Sequence, residues 1–307
     1  MKAPRNQEEF EQFMEVIDGR LRRRSVPFSH RALAGLSEVA RELKIGLPGW
    51  KEDREPVEGC YDGMDLTIRV LDWFEDRYGK RARWDPRPGR TVVIMRDDPW
   101  EIVIPRFFGS HRFFASTTEP SDPVHPVGRP GQPLPRFNVV EAVSDLAPGL
   151  RRVLTKEELN AILEAFRVAL EDYTLIEQLR EDPLAREAMG DYDAAVRELM
   201  AGRARYGASR WASLQASEKM LKAYLARAGQ KVKRTHDLSV LVSAATKVGL
   251  GPVPHTWIAT VQCSPSVRYG EHDVTLPEVV AAHHCSLDLG AHVASFMVGK
   301  SPLPLRL

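Results

Sequence analysis

Apolar residues recur at spacings of three and four in several separate stretches of this 307-residue chain, the pattern of helices that bury one face. In residues 7–24 the stripe is Phe10, Phe13, Met14 and Ile17. Arg22, Arg23 and Arg24 close it, where cations complement the exposed carbonyls of a helix end. A second helix is predicted over residues 30–43 from Leu33, Leu36, Val39, Ala40 and Leu43, stopping before Gly46-Leu47-Pro48-Gly49. A third, over 65–78, carries Leu66, Ile68, Val70, Leu71, Trp73 and Phe74, so most of its circumference is expected to be buried. The period then changes. Thr91 to Met95 is a short β-rich run, Asp97-Asp98-Pro99 signals a turn, and the alternation from Trp100 to Pro105 reads as a return strand. Residues 107–115 are expected to add a third strand, with Gly109-Ser110 as a turn or bulge. The fold class predicted for residues 1–116 is therefore α+β, helices followed by a small antiparallel β-meander.

Six prolines lie between Thr117 and Arg136. Proline lacks a backbone donor and biases its predecessor away from helix, so residues 117–136 read as an extended connector and the expected domain boundary. A ligand for proline-recognition modules is the alternative reading of the same stretch. Residues 137–307 are expected to be all-α. Thr155 to Glu158 forms a capping box ahead of the stripe Leu159, Ile162, Leu163, Phe166, Leu170 and Tyr173. Further helices are predicted over 191–203 and 210–228, the latter ending at Gly229, with shorter ones after His236 and Pro254. Thr275-Leu276-Pro277-Glu278 caps a last helix that runs to about Val298.

Composition narrows the function classes. The formal net charge is +1, so no global field draws the chain to nucleic acid or anionic lipid, and a polyanion site has to be a local patch. Cys60, Cys263 and Cys285 are far apart and form no CxxC pair, which argues against a zinc knuckle and for small buried hydrophobes in a reducing cytoplasm. No apolar run has signal-peptide or membrane-span character. The expectation is a soluble, cytoplasmic protein with no cofactor.

Three motifs in the C-terminal third are more specific. Trp211-Ala212-Ser213-Leu214-Gln215-Ala216-Ser217-Glu218-Lys219-Met220-Leu221-Lys222-Ala223 is followed by a basic loop, then Thr235-His236-Asp237-Leu238 with Leu241 behind it, and later Val267-Arg268-Tyr269. In this order and spacing they resemble the HEPN family of nucleotide- and RNA-associated helical domains, over residues 191–298. The resemblance implies an antiparallel bundle of about five helices that commonly dimerises. Small residues of the last helix (Ala282, Gly290, Ala291, Ala294) offer a seam for a homodimer. The candidate ligand-binding residues are Lys219, Lys222, Lys231, Lys233, Arg234, His236, Arg268 and Tyr269. Cations gathered near a helix start suit a phosphate. Taken singly, Glu218 and Lys222 are also an ordinary i,i+4 pair, and His236 an ordinary capping histidine.

Nuclease members of the family place an arginine and a histidine, four to six residues apart, in the last helix. Here that helix holds His283, His284 and His292 but no arginine, which speaks against ribonuclease activity. Were the protein a nuclease, His236 and Arg268 would be its candidate catalytic pair. The Arg-x4-His spacing does occur at Arg106 and His111, outside the HEPN-like region. Gly109-Ser110 followed by Asp122 copies the opening of a nucleotidyltransferase signature without its second carboxylate. His284, Asp288 and His292 recur at four-residue intervals, but they share a packing stripe, and no metal site is assigned. The leading expectation is a non-catalytic nucleotide- or RNA-interacting protein, acting as a homodimer or with a protein partner. The rivals are a metal-independent ribonuclease of toxin or defence type and a purely structural interaction module.

Overall fold

A computed structural model describes residues 3–49, 51–52, 54–79, 87–107, 109–122, 133–231 and 234–299. The chain divides into two compact units, residues 1–86 and 87–307. The first consists of three helices: α1 (Gln7–Arg23), α2 (Phe28–Leu43) and α3 (Gly63–Tyr78). Asn6 caps α1 by accepting a hydrogen bond from the Glu9 amide, and Lys44 ends α2 in the left-handed conformation. The predicted stripes meet in one core of Phe10, Phe13, Met14, Ile17, Leu36, Val39, Leu66, Val70 and Phe74. Gly35 lets α2 approach α3, because a Cβ there would lie 2.2 Å from the Phe74 ring.

The second unit begins with a hairpin of β1 (Gly89–Met95) and β2 (Asp98–Ile104), in which Met95 faces Asp98. Its turn is Arg96-Asp97, both at positive φ, one residue earlier than the sequence suggests. A two-residue turn of that hand matches the twist of the flanking strands, and Asp98-Pro99 then opens β2. The expected three-stranded meander is corrected here. The third strand, β3 (Arg112–Phe114), pairs in parallel with β4 (Arg136–Asn138) instead of joining the hairpin. The reason is aromatic: Phe107, Phe113, Phe137 and Phe166 pack ring against ring and hold this pair on the helices.

The parallel pair also changes the connector. Its two flanks are tied to one another within a single unit, since Asn138 Nδ2 donates to the carbonyls of Ser116 and Glu119 while Asp122 accepts from the Arg136 amide. The expected boundary in residues 117–136 gives way to a division between Pro86 and Arg87. Residues 123–132, which carry three of the six prolines, lie outside the described residues.

The remaining helices are α4 (Pro148–Arg151), α5 (Lys156–Ile176), α6 (Pro183–Met200), α7 (Tyr206–Arg227), α8 (Leu238–Lys247), α9 (His255–Val261) and α10 (Leu276–Met297). Both predicted capping boxes, at Thr155 and Thr275, are present. One apolar core joins the hairpin residues Val93, Ile102 and Ile104 to Phe166, Tyr173, Leu214, Leu221 and Leu289. Small side chains bring α6, α7 and α10 together: Ser209 donates to the Ala195 carbonyl, Ser286 donates to the Ser213 carbonyl, and the Ser217 and Ser286 hydroxyls bond each other. A Cβ on Gly290 would sit 2.1 Å from the Tyr192 hydroxyl. The seam expected to mediate a dimer is therefore used inside the chain, with Ala282, Ala291 and Ala294 at most 1% exposed. No helix among the described residues is long and apolar enough to cross a membrane.

Candidate functional site

α7 carries one turn of polar side chains at the edge of its buried face. Leu214, Glu218, Leu221 and Leu225 follow helical spacing, so Glu218 is carried to the margin of the core and is only 5% exposed. A carboxylate this buried needs partners, and it has three. Lys222, one turn on, forms an ion pair with Oε1. Gln215 donates from Nε2 to Oε2 at 3.0 Å, and His236 bonds the same oxygen through Nδ1 at 2.7 Å.

The backbone of His236 is fixed as firmly as its ring. Asp237 caps α8 by accepting from the Val240 amide, and Gln262 accepts from the Leu238 amide while donating to the His236 carbonyl. The ring is thus held by Nδ1, while its side chain stays 56% exposed. Among the described residues no hydrogen bond reaches Nε2. The imidazole packs 5.4 Å from the half-buried Trp211 indole. The Arg268 guanidinium lies over that indole at 5.9 Å and over the Tyr269 ring at 5.1 Å. Tyr269, Arg268, Trp211 and His236 form a continuous row of planar groups, and Tyr269 is 70% exposed. Gly207 lets α7 reach the 265–269 turn, because a Cβ there would lie 2.0 Å from the Val267 carbonyl oxygen.

The sequence-predicted cations separate into two sets. Lys222 and His236 converge, but on Glu218, which offsets their charge. Lys219 is bound to Asp191 at 2.8 Å and Glu187 at 3.4 Å. Burial works against its ammonium, yet these carboxylates more than offset that and hold its pKa above the usual value. Burial in turn pushes the Asp191 carboxyl up. Lys231, Arg234 and Arg268 are exposed and have no carboxylate partner among the described residues. Lys233 lies outside the described residues. Glu218, Gln215 and Trp211 are the members that sequence reasoning passed over. The available signal was the 3/4 spacing that puts Glu218 in line with Leu214, Leu221 and Leu225.

The histidines of α10 are placed differently. His283 is fully buried, and neither ring nitrogen has a partner within hydrogen-bonding geometry. His284 Nε2 bonds the Val92 carbonyl at 2.8 Å, and His292 Nε2 approaches the Gly251 carbonyl at 3.4 Å. Burial lowers the pKa of all three, His283 to about 3. No group of three or more potential ligands suited to a metal occurs among the described residues. Asp122 is engaged with Arg136 at the connector flank. The cysteines are free and half-buried, and burial pushes the Cys263 thiol up to about 11.

Residues 183–260 match the family model of the HEPN domain. The match covers about a quarter of the chain, from the start of α6 into α9. It begins earlier than the 191–298 expected from the motifs and excludes α10. It takes in Trp211, Glu218, Lys222 and His236, whereas Arg268 and Tyr269 lie beyond it. The HEPN domain ties this region to nucleotide- or RNA-related function in general. No curated protein and no solved structure matches the chain.

Proposed function

We propose that the HEPN region is a non-catalytic RNA- or nucleotide-interacting module whose ligand lies along the row Tyr269, Arg268, Trp211 and His236. The observation that carries this reading is the Glu218 anchor. It holds His236 by Nδ1 and leaves the imidazole, an exposed guanidinium and two aromatic rings on one surface. Aromatic faces stack bases without regard to sequence, and Arg268 and Arg234 are cations whose charge is not already spent on a carboxylate. The proposed homodimer has to use a face other than the small residues of α10.

One observation favours a second reading, the metal-independent ribonuclease. A carboxylate-held imidazole, with a guanidinium over the neighbouring Trp211 indole, supplies an acid–base group and an electrostatic stabiliser for such chemistry. Fluorescence anisotropy with a short single-stranded RNA at low salt, followed by gel analysis of the same RNA, separates the two. Arg234→Ala with Arg268→Ala should weaken binding on the order of a hundredfold, at roughly 1.5–3 kcal/mol per charged contact. The RNA should stay intact. No binding by the wild type at millimolar ligand, or equal binding by the variant, rejects the proposed surface. Cleavage lost in His236→Ala promotes the ribonuclease.

A further inference from the structure

The second unit holds a cleft of about 620 Å³ that the HEPN surface does not use. One wall is the chain leaving β2, with Arg106, Phe107 and His111, and β3 adds Phe113. The other is the end of α5 and the turn after it, with Glu177 and Arg180. The volume lies in the range that small-molecule sites occupy, about 300–1,000 Å³. Its apolar side is aromatic: Phe107 meets Phe113 edge-to-face at 5.0 Å, and the His111 ring lies 4.8 Å from Phe107. Phe137 and Phe166 back these rings, so the wall is fixed by packing.

The lining carries two arginines, Arg106 and Arg180, against one carboxylate, Glu177. Arg106 and Glu177 form an ion pair. Among the described residues Arg180, on the rim, has one carboxylate contact, to the exposed Glu181 at 3.7 Å. Such a pair in solvent contributes little and yields readily to a better anion. His111 is tethered by Nδ1 to the Gly109 carbonyl at 3.4 Å. The Arg-x4-His spacing noted in the sequence thus places both residues in the lining of one cleft.

We propose that this cleft binds a small planar ligand with an anionic group, of the nucleoside monophosphate class. Its ring lies against Phe107 and Phe113, and its anion meets Arg180 and His111. A flat ring exploits the aromatic wall, while the weakly paired rim charge of Arg180 selects an anion over a neutral base. The site is independent of the RNA surface proposed above.

Calorimetric titration of the full-length protein tests it with adenosine monophosphate and, as a ringless control, ribose 5-phosphate. The nucleotide should bind with submillimolar affinity. Arg180→Ala, at the exposed rim, and His111→Ala should each weaken it about tenfold or more, with thermal unfolding of both variants checking that they fold. Ribose 5-phosphate should bind on the order of tenfold more weakly than the nucleotide, because it forgoes stacking. Arg180→Ala and His111→Ala should leave RNA anisotropy at the HEPN surface unchanged, so failure of the RNA surface and failure of the cleft give different results. The proposal is overturned by absence of binding at millimolar nucleotide, by rim variants that bind as well as wild type, or by a ringless control that binds equally tightly.

Discussion

His236 at the start of α8 and His283, His284 and His292 along α10 belong to the same helical unit, yet the fold treats them in opposite ways. His236 is held by one nitrogen on a buried carboxylate and faces solvent with the rest of its ring. The α10 imidazoles are enclosed by core side chains, two against backbone carbonyls and one, His283, with only a weak approach to the Arg90 backbone outside good hydrogen-bonding geometry among the described residues. The difference lies in what surrounds each helix. α10 packs on α5, α7 and α9 and buries most of its circumference, whereas His236 lies in the loop before α8 with its side chain 56% exposed. Three histidines along α10 therefore say little about chemistry, and a histidine with one fixed nitrogen says more.

The largest expected effect tests whether α10 is structural. Leu289 is fully buried in the core shared with the hairpin. Leu289→Ala should cost about 2–5 kcal/mol by lost burial and a residual cavity. The same change in RNA binding at saturating folded protein should be negligible. Urea denaturation of the two proteins measures the first, and anisotropy the second. A variant as stable as wild type would show that α10 is not the centre of this core.

The next effect is a pH dependence. Burial pushes His283 down to about 3, below the ordinary histidine value it has in the unfolded chain. Between those values the unfolded state binds the proton and the native state does not, so stability is full above about pH 6.5 and declines as pH falls toward 3. His283 alone should remove on the order of 3 kcal/mol by pH 4, and the lowered values of His284 and His292 add in the same direction. His283→Leu gives up no hydrogen bond of good geometry, only the weak approach to the Arg90 backbone. The gap between the denaturation midpoints at pH 7 and pH 5 should therefore narrow in the variant, with His284 and His292 keeping the remainder. Equal slopes in both proteins would mean that the imidazole is hydrated or paired in solution.

Much of this architecture was legible from periodicity. The helical stripes, both capping boxes and the hairpin follow from local rules that tertiary packing does not override. What was not legible depended on contacts distant in sequence. Phe113 pairs its strand with Phe137 across the proline-rich segment, which no spacing rule announces. Small residues on α10 look the same whether they meet a second copy or, as Gly290 does, the Tyr192 of their own chain. At the site, Lys222 and His236 were visible as residues, but the carboxylate between them read as one half of a surface pair. Its burial required knowing which side of α7 faces the core.

The smallest effect is the one that decides whether the Glu218 cluster has a purpose. Glu218→Gln keeps the shape of the side chain but removes the charge that Lys222 and His236 share. Its single carbonyl oxygen can keep the Lys222 contact, while the amide nitrogen in the other position cannot accept from Gln215 or His236, at a cost of about 1–3 kcal/mol. His236 then loses the fixed partner of Nδ1 and samples other ring orientations beside Trp211. If the row of planar groups is the ligand surface, RNA affinity should fall severalfold although Arg234, Arg268 and Tyr269 are untouched. Nitrogen chemical shifts of the His236 ring should report the change of tautomer in the same sample. A variant that loses stability but binds RNA like wild type would make Glu218 a packing device, and the ligand surface would then rest on Arg268 and the aromatic rings alone.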